Sequence, residues 1–197
     1  MTEDIHSRCE SCGRLVRSFD TIRLSSEDGK ATLLCSKCYN EFAAKNAGLD
    51  FQHVDFEPIT LHDIDGIPHK FEFRTHVFGG NVSIEALEIR NGQPKGYELT
   101  VHGDAEDDML HLFGKLFEKM RRALERKHIE KGNLTRYQIT NAGIVRGHIT
   151  WDDDQGGRVP CLVVDGKELS WEEFGRMLMT YEGFNLKLEV FEPSDER

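Results

Sequence analysis

The sequence predicts an α+β fold, and three observations support that prediction. Two C-x-x-C pairs lie close to the N-terminus. Short stretches of alternating apolar and polar residues follow, separated by Asp-Gly, Asn-Gly and Gly-Gly pairs, which is the pattern of antiparallel strands joined by tight turns. Two later stretches carry apolar residues at helical spacing, as expected of helices that cover a sheet.

The first unit, residues 1–50, is organised around Cys9, Cys12, Cys35 and Cys38. Two residues between the cysteines of each pair allow both thiolates to face one cation, and two pairs complete a tetrahedral site of four sulfurs. All four positions are then protein ligands, so none is left for water or substrate. The spacing predicts one structural Zn²⁺ per chain, and a redox pair is the less favoured alternative.

The residues between and after the cysteine pairs predict a hairpin and a helix. Residues 19–24 and 31–34 flank a turn that contains Asp28-Gly29, which indicates a β-hairpin. Residues 36–47 favour a helix that ends at Gly48, and the second cysteine pair lies at its start. The positive end of the helix dipole stabilises thiolates placed there.

The order of a Cys9-x-x-Cys12-Gly13 knuckle, a hairpin and a cysteine-bearing helix resembles the treble-clef class of zinc fingers. The resemblance covers residues 6–50 only, and no family is identified for the rest of the chain. It implies a metal-nucleated fold. It does not fix a function, because treble clefs serve in DNA binding, protein docking, ribosomal proteins and nucleases.

A second unit, residues 51–132, is predicted to be an antiparallel sheet followed by one long helix. The predicted strands are residues 59–64, 68–78, 82–89 and 97–102. Alternation in the third strand is imperfect, which predicts a bulge or burial on both faces. The helix is predicted to begin at an Asp104 N-cap, to run for about six turns and to end at Gly132. Its apolar stripe consists of Met109, Phe113, Leu116, Phe117, Met120 and Leu124.

A third unit, residues 133–197, is predicted to be small, β-rich and of the same α+β kind. The predicted strands are residues 135–140, 143–151, 159–164, 167–169 and 184–190, the last with one buried face. Asp165-Gly166 predicts a hairpin turn, and Ser170 with Glu173 predicts a helix-starting capping box. The buried stripe of that helix is predicted to be Trp171, Phe174, Met177, Leu178 and Tyr181. An alternative is that these strands extend the second unit's sheet and form one domain with it.

Other residues that can carry chemistry have a plainer interpretation. The four histidines His53, His62, His69 and His76 lack the spacing of a second metal site. The acidic run 152–154 lacks the spacing of a calcium loop, so an ordinary hydrophilic loop is favoured. Asp63 and Asp65 are interpreted as turn residues, and Cys161 as a buried strand thiol.

The charge distribution bears on the class of partner. The net charge is −10, whereas nucleic-acid binding usually requires a basic surface. No secretory signal and no apolar run long enough to span a membrane are apparent, so a cytoplasmic protein without membrane association is expected.

Three functions are consistent with these patterns. The leading hypothesis is a non-enzymatic zinc protein whose finger is structural and whose α+β body contacts a protein partner or a second copy. The first alternative is nucleic-acid binding through the finger's basic residues, Arg8, Arg14, Arg17, Arg23 and Lys37, helped by the basic end of the long helix. The second alternative is an enzyme with a site between the sheet and that helix.

Overall fold

The computed structural model describes residues 6–25, 29–133, 135–151 and 156–192. The predicted α+β class is confirmed. The strands are β1 (His6–Arg8), β2 (Leu15–Arg17), β3 (Thr21–Ser25), β4 (Ala31–Cys35), β5 (Ile59–His62), β6 (Pro68–Phe78), β7 (Asn81–Arg90), β8 (Gln93–Asp104), β9 (Ile129–Lys131), β10 (Tyr137–Ile139), β11 (His148–Trp151), β12 (Pro160–Val164) and β13 (Lys167–Ser170). The helices are α1 (Ser36–Ala47), α2 (Met109–Leu124) and α3 (Trp171–Leu178).

The N-terminal part consists of two hairpins and α1. Strands β1 and β2 pair around the first two cysteines, and β3 pairs with β4. The predicted helix bounds are confirmed, because α1 ends at Gly48, whose φ of 70° is left-handed and whose N–H bonds to helix carbonyls. A glycine adopts that conformation without steric cost.

Strands β5 to β8 form a four-stranded antiparallel meander in chain order, as the turn pattern predicted. The register between β7 and β8 shifts between Leu87 and Ile89, which is the irregularity that the imperfect alternation anticipated. Residues on both faces of β7 are buried at this sheet's centre, including Val82, Ser83 and Ile84. A register irregularity and burial on both faces therefore both account for the imperfect alternation in β7.

Helix α2 covers one face of this sheet. The buried side chains of α2 are Met109, Leu112, Leu116, Met120 and Leu124. They pack against Phe71, Val77, Val82, Ile84, Ala86 and Leu99 of the sheet. This cluster contains more buried apolar side chains than either of the other two apolar clusters of the described chain, so its burial contributes more hydrophobic stabilisation than theirs.

The predicted bounds of α2 were wrong at both ends. Asp108, not Asp104, caps the helix by accepting from the Leu110 N–H, while Asp104 ends β8 and accepts from Glu106 N. The helix ends at Leu124, well before Gly132, because residues 129–131 leave it to form β9. Apolar periodicity alone could not show that this segment pairs with β10.

The C-terminal part has its own sheet, in which β11, β12 and β13 lie in that order and do not join the β5–β8 sheet. The capping box is confirmed: Ser170 Oγ accepts from Glu173 N, and the Glu173 carboxylate accepts from Ser170 N. Helix α3 places Met177 in a core with Ile129, Val164 and Leu169.

Four predictions for this part were wrong. The first strand is shorter than residues 135–140 and the second begins only at His148. Trp171 lies on the exposed side of α3. Residues 184–190, predicted as a strand with a buried face, form no strand, and their apolar side chains are exposed. The alternation showed which side chains share a face in an extended conformation, but a strand forms only where another surface pairs with it and covers that face.

Candidate metal centre

The first cysteine pair lies in the connection between β1 and β2. Gly13 N donates to Cys9 O, and Cys9 N donates to Arg14 O, each over 2.9 Å. Gly13 has a φ of 71°, which a residue with a side chain rarely adopts. The chain therefore makes a tight knuckle that turns both sulfurs of the pair towards α1.

The second pair lies where β4 meets α1. Cys35 is the last residue of β4 and the N-cap of α1, and Cys38 is in the first helical turn. Glu10 N donates to Leu33 O over 2.8 Å, which ties the knuckle to β4. These backbone bonds bring the two pairs face to face.

The structure brings the four predicted cysteines together. Their sulfur atoms all lie within 4.8 Å of one another, and the distance from Cys12 Sγ to Cys35 Sγ is 3.9 Å. A tetrahedral ion with Zn–S bonds of about 2.3 Å requires sulfur–sulfur distances of about 3.8 Å. The four thiols can therefore hold one metal ion, and the donor set and size are compatible with zinc.

Burial and hydrogen bonding act differently on the two buried thiols of the cluster. Burial raises the pKa of Cys9, but backbone N–H groups of Cys12, Cys35 and Ser11 outweigh it and bring that pKa to about 6. Burial dominates at Cys35 and raises the pKa of its thiol to about 12. Without a metal ion the site thus combines one readily ionised thiol with a poorly ionised one. A bound cation would favour the thiolate form at every position.

The cysteine cluster is also tied to the rest of the chain through α1. The side chain of Asn40, fully buried on α1, donates to Thr75 O over 2.7 Å and accepts from Val77 N over 2.9 Å. Strand β5 pairs with β6 only over residues 68–71. The Asn40 amide therefore takes the place of a neighbouring strand where β5 has ended.

Two arginines add polar contacts between the cysteine-bearing part of the chain and the β5–β8 sheet. Arg17 Nη2 lies 2.9 Å from Glu72 Oε1. Arg74 Nη1 donates to Phe19 O over 2.8 Å, and its Nε donates to Glu85 over 2.9 Å. Asp20 is partly buried nearby, and this partial burial raises the pKa of its carboxyl group. The cysteine unit is thus held on the sheet by polar contacts from several elements.

A second polar cluster was missed by the sequence patterns. His69 is buried between Glu88, at 2.8 Å from its Nδ1, and Asp63, at 3.4 Å from its Nε2. Lys127 Nζ lies 2.6 Å from Asp63, and Arg90 Nε lies 2.8 Å from Glu88. Each buried carboxylate therefore has a cationic partner, which is the usual condition for burying a charge.

The cluster joins the end of α2 to the sheet. Asp63 also accepts from Asp65 N and Ile67 N, so the interpretation of Asp63 and Asp65 as turn residues is confirmed. A signal for the cluster existed in β7, where Glu88 occupies a position that alternation assigns to an inward-facing residue. The sequence could not identify its partners, because Lys127 lies 64 residues from Asp63.

The other candidate residues lie outside any metal-binding cluster of the described chain. Within the described parts of the chain, the Cys9, Cys12, Cys35 and Cys38 group is the sole cluster of metal-binding side chains. His53 pairs with Asp55 and His76 lies near Glu85. Cys161 is buried, as predicted. The acidic run 152–154 lies outside the described residues.

The structure engages several of the basic residues considered for nucleic-acid binding. Arg8 donates to Gly13 O over 2.8 Å, and Arg17 pairs with Glu72. On α2, Arg121 pairs with Glu118 and Glu125. The carboxylates neutralise Arg17 and Arg121, and the carbonyl of Gly13 occupies a donor of Arg8, so less positive charge and fewer donors are open to a phosphate backbone.

The interface proposed for an enzyme site is filled with apolar side chains, namely the β5–β8 sheet and α2 residues described above. No helix of the described chain combines the length and apolar character needed to cross a membrane.

Comparison with known proteins divides the chain into three successive matches. Models of three domains of unknown function match residues 8–50 (DUF7685), 52–125 (DUF7686) and 128–195 (DUF7713). The first covers the cysteine cluster, the second covers the β5–β8 sheet with α2, and the third begins just before β9 and includes residues 184–190. No curated protein and no solved structure matches the chain.

Proposed function

We propose that the chain is a non-enzymatic zinc protein in which a structural treble-clef finger supports an α+β body that contacts other proteins. The order of β1, knuckle, β2, the β3–β4 hairpin and α1 supports the treble-clef assignment. Cys9, Cys12, Cys35 and Cys38 are the proposed ligands of one Zn²⁺ per chain. With four protein sulfurs, the ion has no open position for catalysis.

The single observation that carries this proposal is the path from the sulfur cluster to the sheet. Cys35 and Cys38 start α1, and Asn40, two residues after Cys38, completes the hydrogen bonding of β6. A metal ion that orders the start of α1 therefore also orders the edge of the β5–β8 sheet. In structural fingers the bound zinc contributes about 10–16 kcal/mol of folding free energy.

A protein-contact role fits the surface better than a nucleic-acid role. The chain carries a net charge of −10, and the described basic residues of the finger and α2 are partly paired with acidic groups. Four unoxidised thiols also require a reducing compartment, which favours the cytoplasm. We therefore propose that the finger stabilises the fold and that the α+β body binds the protein partner.

Elemental analysis and native mass spectrometry of untagged protein test the proposal. We expect one zinc per wild-type chain and less than one after Cys9→Ser or Cys38→Ser. The fifth cysteine supplies a matched control, because Cys161→Ser removes a buried thiol outside the cluster and is expected to keep the full zinc content. A wild-type chain without stoichiometric zinc would contradict the proposal. So would salt-sensitive retention of nucleic acid.

A further inference from the structure

Residues 184–190 form an amphipathic segment whose apolar side chains are exposed in the described part of the chain. The exposed fractions are 76% for Phe184, 73% for Leu186, 77% for Leu188 and 73% for Val190. These residues alternate with Asn185, Lys187 and Glu189, so an extended conformation places the apolar groups on one face. Within the described chain the segment belongs to no sheet.

This segment is part of a domain and not an unrelated tail. The DUF7713 match extends over residues 128–195 and therefore includes it together with the β11–β13 sheet and α3. Phenylalanine, valine and alternating leucines favour a half-buried strand. A strand of this composition requires a sheet edge with an apolar surface beside it.

The β11–β13 sheet offers such an edge. Strand β11 is its outer strand on one side, and it carries two exposed apolar residues, Ile149 at 52% and Trp151 at 67%. The opposite outer strand, β13, is less accessible, because Glu168 pairs with Lys95 of β8 over 3.0 Å. The β11 edge is therefore the better site for an added strand.

The register shows which face Ile149 and Trp151 occupy. Ile149 lies opposite Leu162, and Leu162 lies opposite Leu169. Residues directly opposite one another share a face of the sheet. Leu169 is fully buried in the core that Met177 of α3 covers. Ile149 and Trp151 thus extend the core face of the sheet beyond the part that α3 covers.

We propose that residues 184–190 of one chain add as a strand to β11 of a second copy, and that the second copy returns the same contact. The apolar side chains of the added strand would then pack beside Ile149 and Trp151 on the same face of the sheet, next to the α3 core of the second copy. They are Phe184, Leu186, Leu188 and Val190. The added strand would lie along the outer side of β11 as a fourth strand of that sheet. The two contacts are identical, so the assembly closes as a two-fold dimer.

A second copy is the occupant to which the chain itself points, because both halves of the contact are present on it. The polar face of the segment stays outward, where Lys187 Nζ lies 2.5 Å from Glu189. Both chains are acidic, so salt screens their mutual repulsion. Association is therefore expected to strengthen with ionic strength, opposite to the behaviour of a phosphate-binding surface.

The inference rests on the proposed role as a protein-contact module, but not on the zinc. Sedimentation velocity of the full zinc-loaded chain over a concentration series is expected to show a dimer. The double variant Leu186→Asp/Leu188→Asp is expected to be monomeric with its zinc content unchanged. The matched control Asn185→Asp/Lys187→Gln changes the charge equally on the other face and is expected to stay dimeric.

A mixing experiment separates exchange between chains from folding back within one chain. The Ile149→Asp variant removes the edge, and Leu186→Asp/Leu188→Asp removes the strand. Neither is expected to dimerise alone, but their mixture retains one intact contact and is expected to form a heterodimer. Circular dichroism of each variant checks that it remains folded.

Three results would overturn the inference: a monomeric wild-type chain at every concentration, a dimer that survives Leu186→Asp/Leu188→Asp, or a dimer that survives Ile149→Asp. A zinc-loaded monomer would remove this inference and leave the zinc finger in place. A dimer without zinc would remove the proposed function and leave the strand exchange in place.

Discussion

The Asn40 side chain donates a hydrogen bond to Thr75 O over 2.7 Å, although the two residues are 35 positions apart. Asn40 belongs to the helix that begins at the sulfur cluster, and Thr75 belongs to the central sheet. This bond and its partner from Val77 N to Asn40 Oδ1 are buried. The metal centre and the sheet are therefore expected to gain and lose structure together.

Substitution of Asn40 by alanine is expected to destabilise the fold by about 2–6 kcal/mol. The substitution leaves a buried carbonyl at Thr75 and a buried N–H at Val77 unsatisfied, and each such group costs about 1–3 kcal/mol. Urea unfolding measures the change. Asn46→Ala, on the exposed side of the same helix, is the control and is expected to change stability by less than about 0.5 kcal/mol. Equal effects of the two substitutions would contradict this account.

Removal of zinc by a chelator is expected to loosen a defined part of the chain. If the proposed ion orders the start of α1, which completes the edge of β6, amide protection is expected to fall in residues 36–47 and 72–78. Residues 160–170 of the C-terminal sheet are the internal control. Hydrogen exchange by mass spectrometry measures all three segments. Uniform loss of protection over the whole chain would show that the coupling is not confined to this path.

The cluster around His69 is expected to make stability depend on pH. Burial disfavours the charged imidazole, but its bonds to Glu88 and Asp63 outweigh burial and raise the pKa of His69 above its usual 6.5. Burial raises the carboxyl pKa values, but Lys127 at Asp63 and His69 with Arg90 at Glu88 bring both below their usual 3.8 and 4.5.

The signs of these shifts define a pH window. A group with a raised pKa stabilises the fold below its unfolded value and loses that contribution as the pH rises through the folded value. The depressed carboxyl groups contribute above their unfolded values and lose that contribution as the pH falls through the folded ones. The cluster's contribution is therefore expected to be largest between about pH 4.5 and 6.5.

His69→Gln tests this window. The difference in unfolding free energy between the wild type and the variant is expected to shrink as the pH rises above 6.5, because the wild type then loses its imidazolium. Urea titrations at several pH values measure that difference. His111→Gln, on the exposed side of α2, is the control. A difference that does not vary with pH would show that folding leaves the pKa of His69 unchanged, and a difference that grows as the pH rises would show that its pKa is lowered.

Substitution of Gly166 by alanine is expected to weaken the contact between the C-terminal sheet and β8. Gly166 has a φ of 67°, and a Cβ atom there would lie 2.8 Å from Arg90 and 2.9 Å from Tyr97 side-chain atoms. Gly143 has a similar φ of 65° but open space around it, so Gly143→Ala carries the backbone strain alone.

The backbone strain costs about 1–2 kcal/mol at either position, and the clash adds to it at Gly166 only. We therefore expect Gly166→Ala to lower the unfolding free energy more than Gly143→Ala does, as measured in urea. Equal losses would show that Arg90 and Tyr97 move aside freely.

The sequence by itself determined the features that depend on a few neighbouring residues. The cysteine spacing, the bounds of α1 with Gly48 as its cap, the Asp165-Gly166 turn and the Ser170–Glu173 capping box all follow from local geometry. The four-stranded meander was also predictable, because its turns are short and its strands are consecutive.

Only the tertiary structure decided what distant segments do to one another. The pairing of Asp63 with Lys127, the strand-like role of the Asn40 amide and the release of residues 129–131 from α2 all involve partners far along the chain. The segment 184–190 shows the same division. Its alternation of apolar and polar residues can be read from neighbouring positions, but the surface that would bury its apolar face cannot. A pattern of residues states which face seeks burial, but the surface that buries it is supplied by other parts of a folded molecule.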